Sequence, residues 1–217
     1  VKYLRNGLGE EGNGGFVPPV LLKRLTPQFP MYNLQKAKSF LNQSIYKKNQ
    51  TKYAPLKITV TADYLDMAVF LQQSWRQIGL NVEIDLQTGG MLRQLRNQGK
   101  LGMFRGSWIA DYPDAENYLS CFYSKYFSPN GPNYTHYKTT KFDQLFDKIA
   151  FGTYSNPDDR SKDIVEANNI ITEDAPVLIL YYDKSLRLFH PHVEGLQNDA
   201  SNRLDLKRVR KKIKNSL

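Results

Sequence analysis

One cysteine and three histidines are all the thiol and imidazole groups in this chain of 217 residues. Cys121 has no partner, which excludes a disulfide scaffold, and together with His136, His190 and His192 it does not make any of the common zinc-site spacings. Such cysteine poverty suits an oxidising compartment without proving one. No apolar run approaches the roughly 18 residues that a transmembrane helix needs. The sequence contains no G-x-x-x-x-G-K-[ST] and no G-x-S-x-G, so neither a P-loop phosphate cradle nor a nucleophile elbow is indicated. It opens on Val1 without a charged-then-apolar leader, and the expectation is an excised piece or a processed chain.

Apolar residues are plentiful at 41%, aromatics reach 12%, and charged residues make up only 24%, a composition that folds rather than stays disordered. The length is that of one large domain or one and a half. A net charge of +9 suggests nucleic acid until it is mapped along the chain. Residues 1–50 hold eight Lys or Arg against two acids, and residues 203–217 hold seven against one. The 152 residues between them are slightly acidic, at −3, so the main body offers no phosphate-tracking groove and nucleic acid is not an expected partner.

The stretch GLGEEGNGGFVPP, Gly7 to Pro19, reads as a loop and a boundary, with residues 1–8 as the continuation of an upstream helix. From Leu34 the apolar positions Ala37, Phe40, Leu41 and Ile45 repeat at helical spacing. Leu56, Ile58 and Val60 alternate as in a strand, Met67, Phe70, Leu71, Trp75 and Ile78 return to helical spacing, and Gly79 is placed to end that helix. Leu80, Val82, Ile84 and Leu86 predict a second strand, Met91, Leu92 and Leu95 a short helix stopped by Gly99, and Leu101 to Arg105 a third strand. This succession is an α/β signature. Residues 106–139 lack a period and read as a long ordered loop region, with Tyr118, Phe122, Tyr123, Tyr126 and Phe127 as a satellite core beneath it. A short helix carries Phe142, Leu145, Phe146 and Ile149 on one face; Asn156 followed by Pro157, Asp158 and Asp159 marks a further helix start. Val177 to Tyr182 (VLILYY) predicts a strand buried on both faces, and apolar density falls after Gly195.

The segment RGSWIADYPDAENYL, Arg105 to Leu119, concentrates the chemistry. Arg105, Trp108, Asp111 and Tyr112 lie at and beyond the C-terminal end of a predicted strand, where open α/β sheets place their ligands. An aspartate can accept charge-assisted hydrogen bonds from an amine, an arginine can fork onto a carboxylate, and a tryptophan supplies an apolar wall, a set suited to a zwitterion. The plainer reading, which spacing alone favours, makes Asp111 a turn cap, Arg105 a solvent-facing strand residue and Trp108 core. A third reading takes Asp111, Asp114 and Glu116 as glycosidase carboxylates, although nothing in their spacing sets the separation of such a pair.

RNQGKLGMFRGSWIADYPDAENYL resembles the C-terminal lobe of the oligopeptide- and dipeptide-binding proteins of ABC importers, the family-5 extracellular solute-binding proteins. The likeness continues through NYTHYKTTKFDQLFDKI, NPDDR, EDAPVLILYY and HPHVEG, and upstream through FVPP and YNLQKAKSFL. It implies a type II periplasmic-binding-protein-like lobe, a mixed sheet flanked by helices, forming half of a clamp that closes on an extended peptide. Residues 1–17 would be the end of a first-lobe segment and its linker, 18–190 the second, ligand-binding lobe, and 191–217 a return toward the first lobe. By the same resemblance Asp111 would pair with the peptide α-amine, Arg105 would meet a ligand carboxylate, Trp108 would line the pocket, Arg96 would stand near the cleft, and Tyr181 or Tyr182 would bond peptide backbone. The implied protein is a receptor and not an enzyme, without cofactor or metal. Its partners are a peptide, a membrane ABC permease and the missing N-terminal lobe, outside the cytoplasm and lipid-anchored in the complete protein. Pro113-Asp114-Ala115-Glu116 is intermediate between dipeptide-type and oligopeptide-type loops, leaving ligand length open. A nickel chelate, haem or an oligosaccharide is the alternative cargo within that fold.

Overall fold

In a computed structural model, which describes residues 4–22, 32–49, 55–197 and 204–212, the alternating segment Leu56–Val60 (β2) is the middle strand of a three-stranded parallel sheet. Val82–Leu86 (β3) pairs along one edge, with Ile58 opposite Ile84, and Met103–Phe104 (β4) along the other, with Ile58 opposite Met103. Parallel neighbours need crossovers, and the helices Leu65–Arg76 (α3) and Gly89–Asn97 (α4) supply them. Gly79 at φ +85° and Gly99 at φ +64° take up the left-handed conformation just past each helix, as their positions predict. Ile58, Val60, Ala68 and Val82 are buried in this unit, with Leu71, Trp75 and Tyr64 packed against them.

A second core belongs to the helical part. Ala115–Leu119 (α5), Thr140–Phe151 (α6) and Pro157–Asp174 (α7) enclose Leu119, Phe122, Tyr123, Phe142, Phe146 and Ile171, all at most 2% exposed. The rings interlock edge to face, Phe122 with Phe142 at 6.3 Å and Tyr123 with Tyr126 at 5.0 Å between centroids. The aromatic crowd is therefore the main core of this half rather than a satellite, because α6 and α7 close over it. Asn156 caps α7 through a 2.9 Å bond from the Asp158 amide, ahead of Pro157.

The glycine-rich segment is tied to this body. Glu10–Glu11 (β1) pairs antiparallel with Tyr181–Tyr182 (β5), and Val17 is fully buried. Asn168 of α7, itself wholly buried, accepts from the Val17 amide at 3.1 Å and donates to the Gly14 carbonyl at 3.0 Å. Gly15 has φ +86°, and a Cβ there would stand 2.2 Å from the Asn168 amide nitrogen, so the chain passes at a distance only glycine permits.

Three expectations are corrected. Leu4 to Gly7 form a turn, with Asn6 and Gly7 both at positive φ, not the end of a helix. The helix from Leu34 stops at Gln43 (α1), because Ser44 is extended and caps a separate short helix, Ile45–Lys48 (α2), by accepting from the Lys47 amide. Of VLILYY only Tyr181–Tyr182 enters a ladder, and Leu178 is 61% exposed, since the facing chain makes its last bond from the Gly12 amide to the Leu180 carbonyl at 3.3 Å and folds back at Asn13, whose amide donates to the Glu11 carbonyl. Toward the C-terminus, Val193–Glu194 (β6) pairs with Arg210–Lys211 (β7), and Glu194 is held by Arg210 and Lys212.

Candidate functional site

The site forms at the C-terminal ends of β2 and β4. The Arg105 amide donates to the Thr59 carbonyl at 3.0 Å, which carries the pairing of β4 one residue further and fixes where the arginine leaves the sheet. Tyr64 leaves the neighbouring strand through a short 3-10 turn, Ala62–Tyr64, at the head of α3. The guanidinium carbon of Arg105 lies 3.6 Å from the centre of the Tyr64 ring, and Nη2 donates to the Tyr181 hydroxyl at 3.4 Å.

Successive residues of β5 point to opposite faces, and the two tyrosines accordingly do different work. The Tyr182 hydroxyl accepts from the Gly14 amide at 3.0 Å and donates to the Gly15 carbonyl at 2.6 Å, so it fastens the glycine segment; burial raises its pKa. Tyr181 faces Arg105 instead. Arg5, which sequence reasoning did not single out, also reaches this side: its guanidinium stands 4.7 Å over the Tyr181 ring and pairs with Asp183 at 2.8 Å. A lone arginine in a turn 176 residues from its tyrosine gives no sequence signal.

Beyond Arg105 the chain is pinned in three places. Asn117 of α5, buried, accepts at one Oδ1 from both the Trp108 indole at 2.9 Å and the Asp111 amide at 3.3 Å. Trp108 is half-buried against the aromatic core. Asp114 caps α5, accepting from the Glu116 amide at 2.8 Å, and receives a two-pronged bond from Arg160 of α7 at 2.9 and 3.1 Å. Tyr112 donates to the Glu116 carboxylate, which is the main reason its own pKa is raised.

The rim between these pins carries Ile109, Asp111 and Tyr112, all exposed. Burial first, and the negative charge of Asp111 second, push the Cys121 thiol up, which keeps it protonated. Arg96, in the last turn of α4, lays its guanidinium 3.9 Å over the Tyr134 ring, with its Nε buried and unpartnered. The structure thus brings Arg105 and Tyr181 together directly and joins Trp108 to Asp111 through Asn117, while Arg96 is stacked on a separate loop. Tyr64, Arg5 and Asn117 are the members that motif reading missed.

Residues 1–130 match the family model of bacterial extracellular solute-binding proteins, family 5 Middle. The chain belongs to this family. Among its relatives, the periplasmic oligopeptide-binding protein OppA of Salmonella typhimurium is 25% identical over 189 residues, covering 83% of this chain and 33% of OppA. The chain spans about a third of the length of that relative. The structure of the periplasmic binding protein DppA from Helicobacter pylori, in complex with the peptide STSA, superposes with a TM-score of 0.68 at 25% identity, covering 84% of this chain and 36% of that one. An oligopeptide-binding protein from Borrelia burgdorferi, OppAIV, reaches a TM-score of 0.77 at 21% identity over 97% of this chain and 43% of its own, a likeness of fold. The α/β architecture is that of these type II periplasmic binding proteins, and the family is made of binding proteins.

Proposed function

We propose that this family-5 chain is the second lobe of a non-enzymatic peptide receptor that delivers its ligand to a membrane ABC permease. In this reading residues 1–17 close the first-lobe segment, 18–190 form the ligand-binding lobe and 191–217 return toward the missing lobe; the protein works outside the cytoplasm, lipid-anchored in its complete form. The observation that carries it is a charged loop tied to the helical body at both ends of its acidic stretch: the Asp111 amide is bonded to the buried Asn117, Asp114 accepts the fork of Arg160, and upstream in the same segment Arg105 is stacked on Tyr64 at the end of the sheet. A zwitterionic chain fits such a pair, its amine toward Asp111 and a carboxylate toward Arg105, with Trp108 and Tyr181 lining the path and Arg96 available to a second acidic group. That the relatives include an oligopeptide-binding protein and a structure with the peptide STSA supports the same cargo.

A hydrolytic role has little to work with. Asp114 is engaged by Arg160 and by the α5 cap, and Glu116 by Tyr112, so two of the three loop carboxylates already serve the fold.

Closure of the missing lobe over Asp111 would exclude water, and removing one partner of a desolvated ion pair costs about 3–5 kcal/mol. Asp111→Ala in the complete two-lobed protein is expected to weaken binding of short alanine peptides at least about a hundredfold by calorimetry. Unchanged affinity would remove Asp111 from its role.

A further inference from the structure

We infer that Tyr64 is a positioning residue for Arg105, setting the preference of this site for ligands that end in a free carboxylate. The inference rests on the reading of the chain as a peptide receptor and adds a residue outside the loop motif to it.

A guanidinium has two ways to be held. Hydrogen bonds along its edge fix it but consume N–H donors, whereas an aromatic ring against its face fixes the plane and consumes none. Arg105 is held in both ways, with the ring face of Tyr64 at 3.6 Å and one edge donor, Nη2, on the Tyr181 hydroxyl at 3.4 Å. The ring takes none of the remaining donors, so they stay available to a carboxylate. A long side chain loses rotamer freedom when it binds, and stacking it beforehand moves that cost from binding to folding. Tyr64 is itself anchored, half-buried and packed against the core of the parallel sheet at the head of α3. The strand end that delivers Arg105 and the one that delivers Tyr64 are hydrogen-bonded neighbours, Thr59 opposite Phe104, so the stack is built into the sheet register.

The role makes a separable prediction, because a peptide amide keeps every contact of the acid except the charged one. The test is calorimetry of the complete two-lobed protein with alanine peptides of two to five residues, each as free acid and as C-terminal amide. Wild type should prefer the acid. Tyr64→Leu should reduce the acid-over-amide ratio about tenfold, the size of a desolvated cation–π contact, with little change in amide affinity. Tyr64→Phe, which keeps the ring face and drops the hydroxyl, should restore the wild-type ratio. An unchanged ratio in Tyr64→Leu, or a ratio lost equally in Tyr64→Phe, overturns the positioning role while leaving the peptide reading intact. Equal loss toward acid and amide in Tyr64→Leu also overturns it, since that marks a structural effect of the packed ring. Absence of binding by wild type to every one of these peptides overturns the receptor reading and this inference with it.

Discussion

Asp114 holds the loop that carries Asp111 at its far end, by capping α5 and by accepting the fork of Arg160. Burial by itself would raise its pKa, but the bonds from Arg160 and from the Glu116 amide outweigh that and hold the carboxyl below the usual aspartate range. A depressed carboxyl stabilises the fold above the pKa it has when unfolded, near 4, and the contribution is lost as pH falls through the lower folded value. Asp114→Asn keeps an oxygen for the cap and removes the charge, so it isolates the pairing with Arg160. Because the two side chains are 38% and 32% exposed, solvent screens the pair, and the expected loss is only about 1 kcal/mol. Urea unfolding at pH 7 should show that difference, and it should shrink as pH falls below about 4 and through the lower folded value; a difference that persists undiminished in acid would show that charge is not its source. The loop itself was legible, since its motif is contiguous. Its supports were not, because Asp114 and Arg160 are 46 residues apart and Trp108 and Asp111 meet only through Asn117.

At the scale of elements, alternation and helical spacing placed the parallel sheet with its two crossover helices, and Asn156-Pro157 placed the start of α7 to the residue. These signals are local and come from the periods of strand and helix themselves. What periodicity could not supply was partnership. Val177 to Leu180 has the composition of a central strand, yet a strand needs a neighbour, and the facing chain folds back just after the bond from the Gly12 amide to the Leu180 carbonyl. The attachment of the glycine segment was hidden for the same reason, because it rests on Asn168 and Tyr182, more than 150 residues away in sequence. Asn168→Ala would leave the Val17 amide and the Gly14 carbonyl without partners inside the core, at about 1–3 kcal/mol for each buried group left unsatisfied. The expected outcome is a loss of about 2–4 kcal/mol in chemical unfolding, together with faster proteolytic cleavage between Gly7 and Gly15 while α6 and α7 stay protected. Global unfolding without selective cleavage would mean that the segment is integral to the core rather than docked on it.

The whole molecule shows surfaces that a self-sufficient protein seldom leaves open. Ile109 at the site rim is 70% exposed, Leu186 and Leu188 beyond β5 are 73% and 89% exposed, and Phe189 is 55% exposed. The chain spans about a third of the length of the relative OppA; in sequence Ile109 lies two residues before Asp111, and Leu186, Leu188 and Phe189 follow the strand that carries Tyr181. Two buried cores, one under the parallel sheet and one among α5, α6 and α7, lead to the expectation that the chain folds by itself. Binding is a different matter. In a clamp, the ligand gains from both lobes only when they meet, and the closed state is selected because contacts on the second lobe add to those on the first. On the proposed reading of the chain as one lobe of such a clamp, the charges of Asp111 and Arg105 stay open to water, where a pair is worth about 0–1 kcal/mol rather than several. The 217-residue chain alone should therefore retain a cooperative unfolding transition and bind short alanine peptides at least about a hundredfold more weakly than the complete protein, a deficit of roughly 2.8 kcal/mol in calorimetry. Equal affinity of the lone chain would place the whole binding surface within these residues and remove the need for a closing partner.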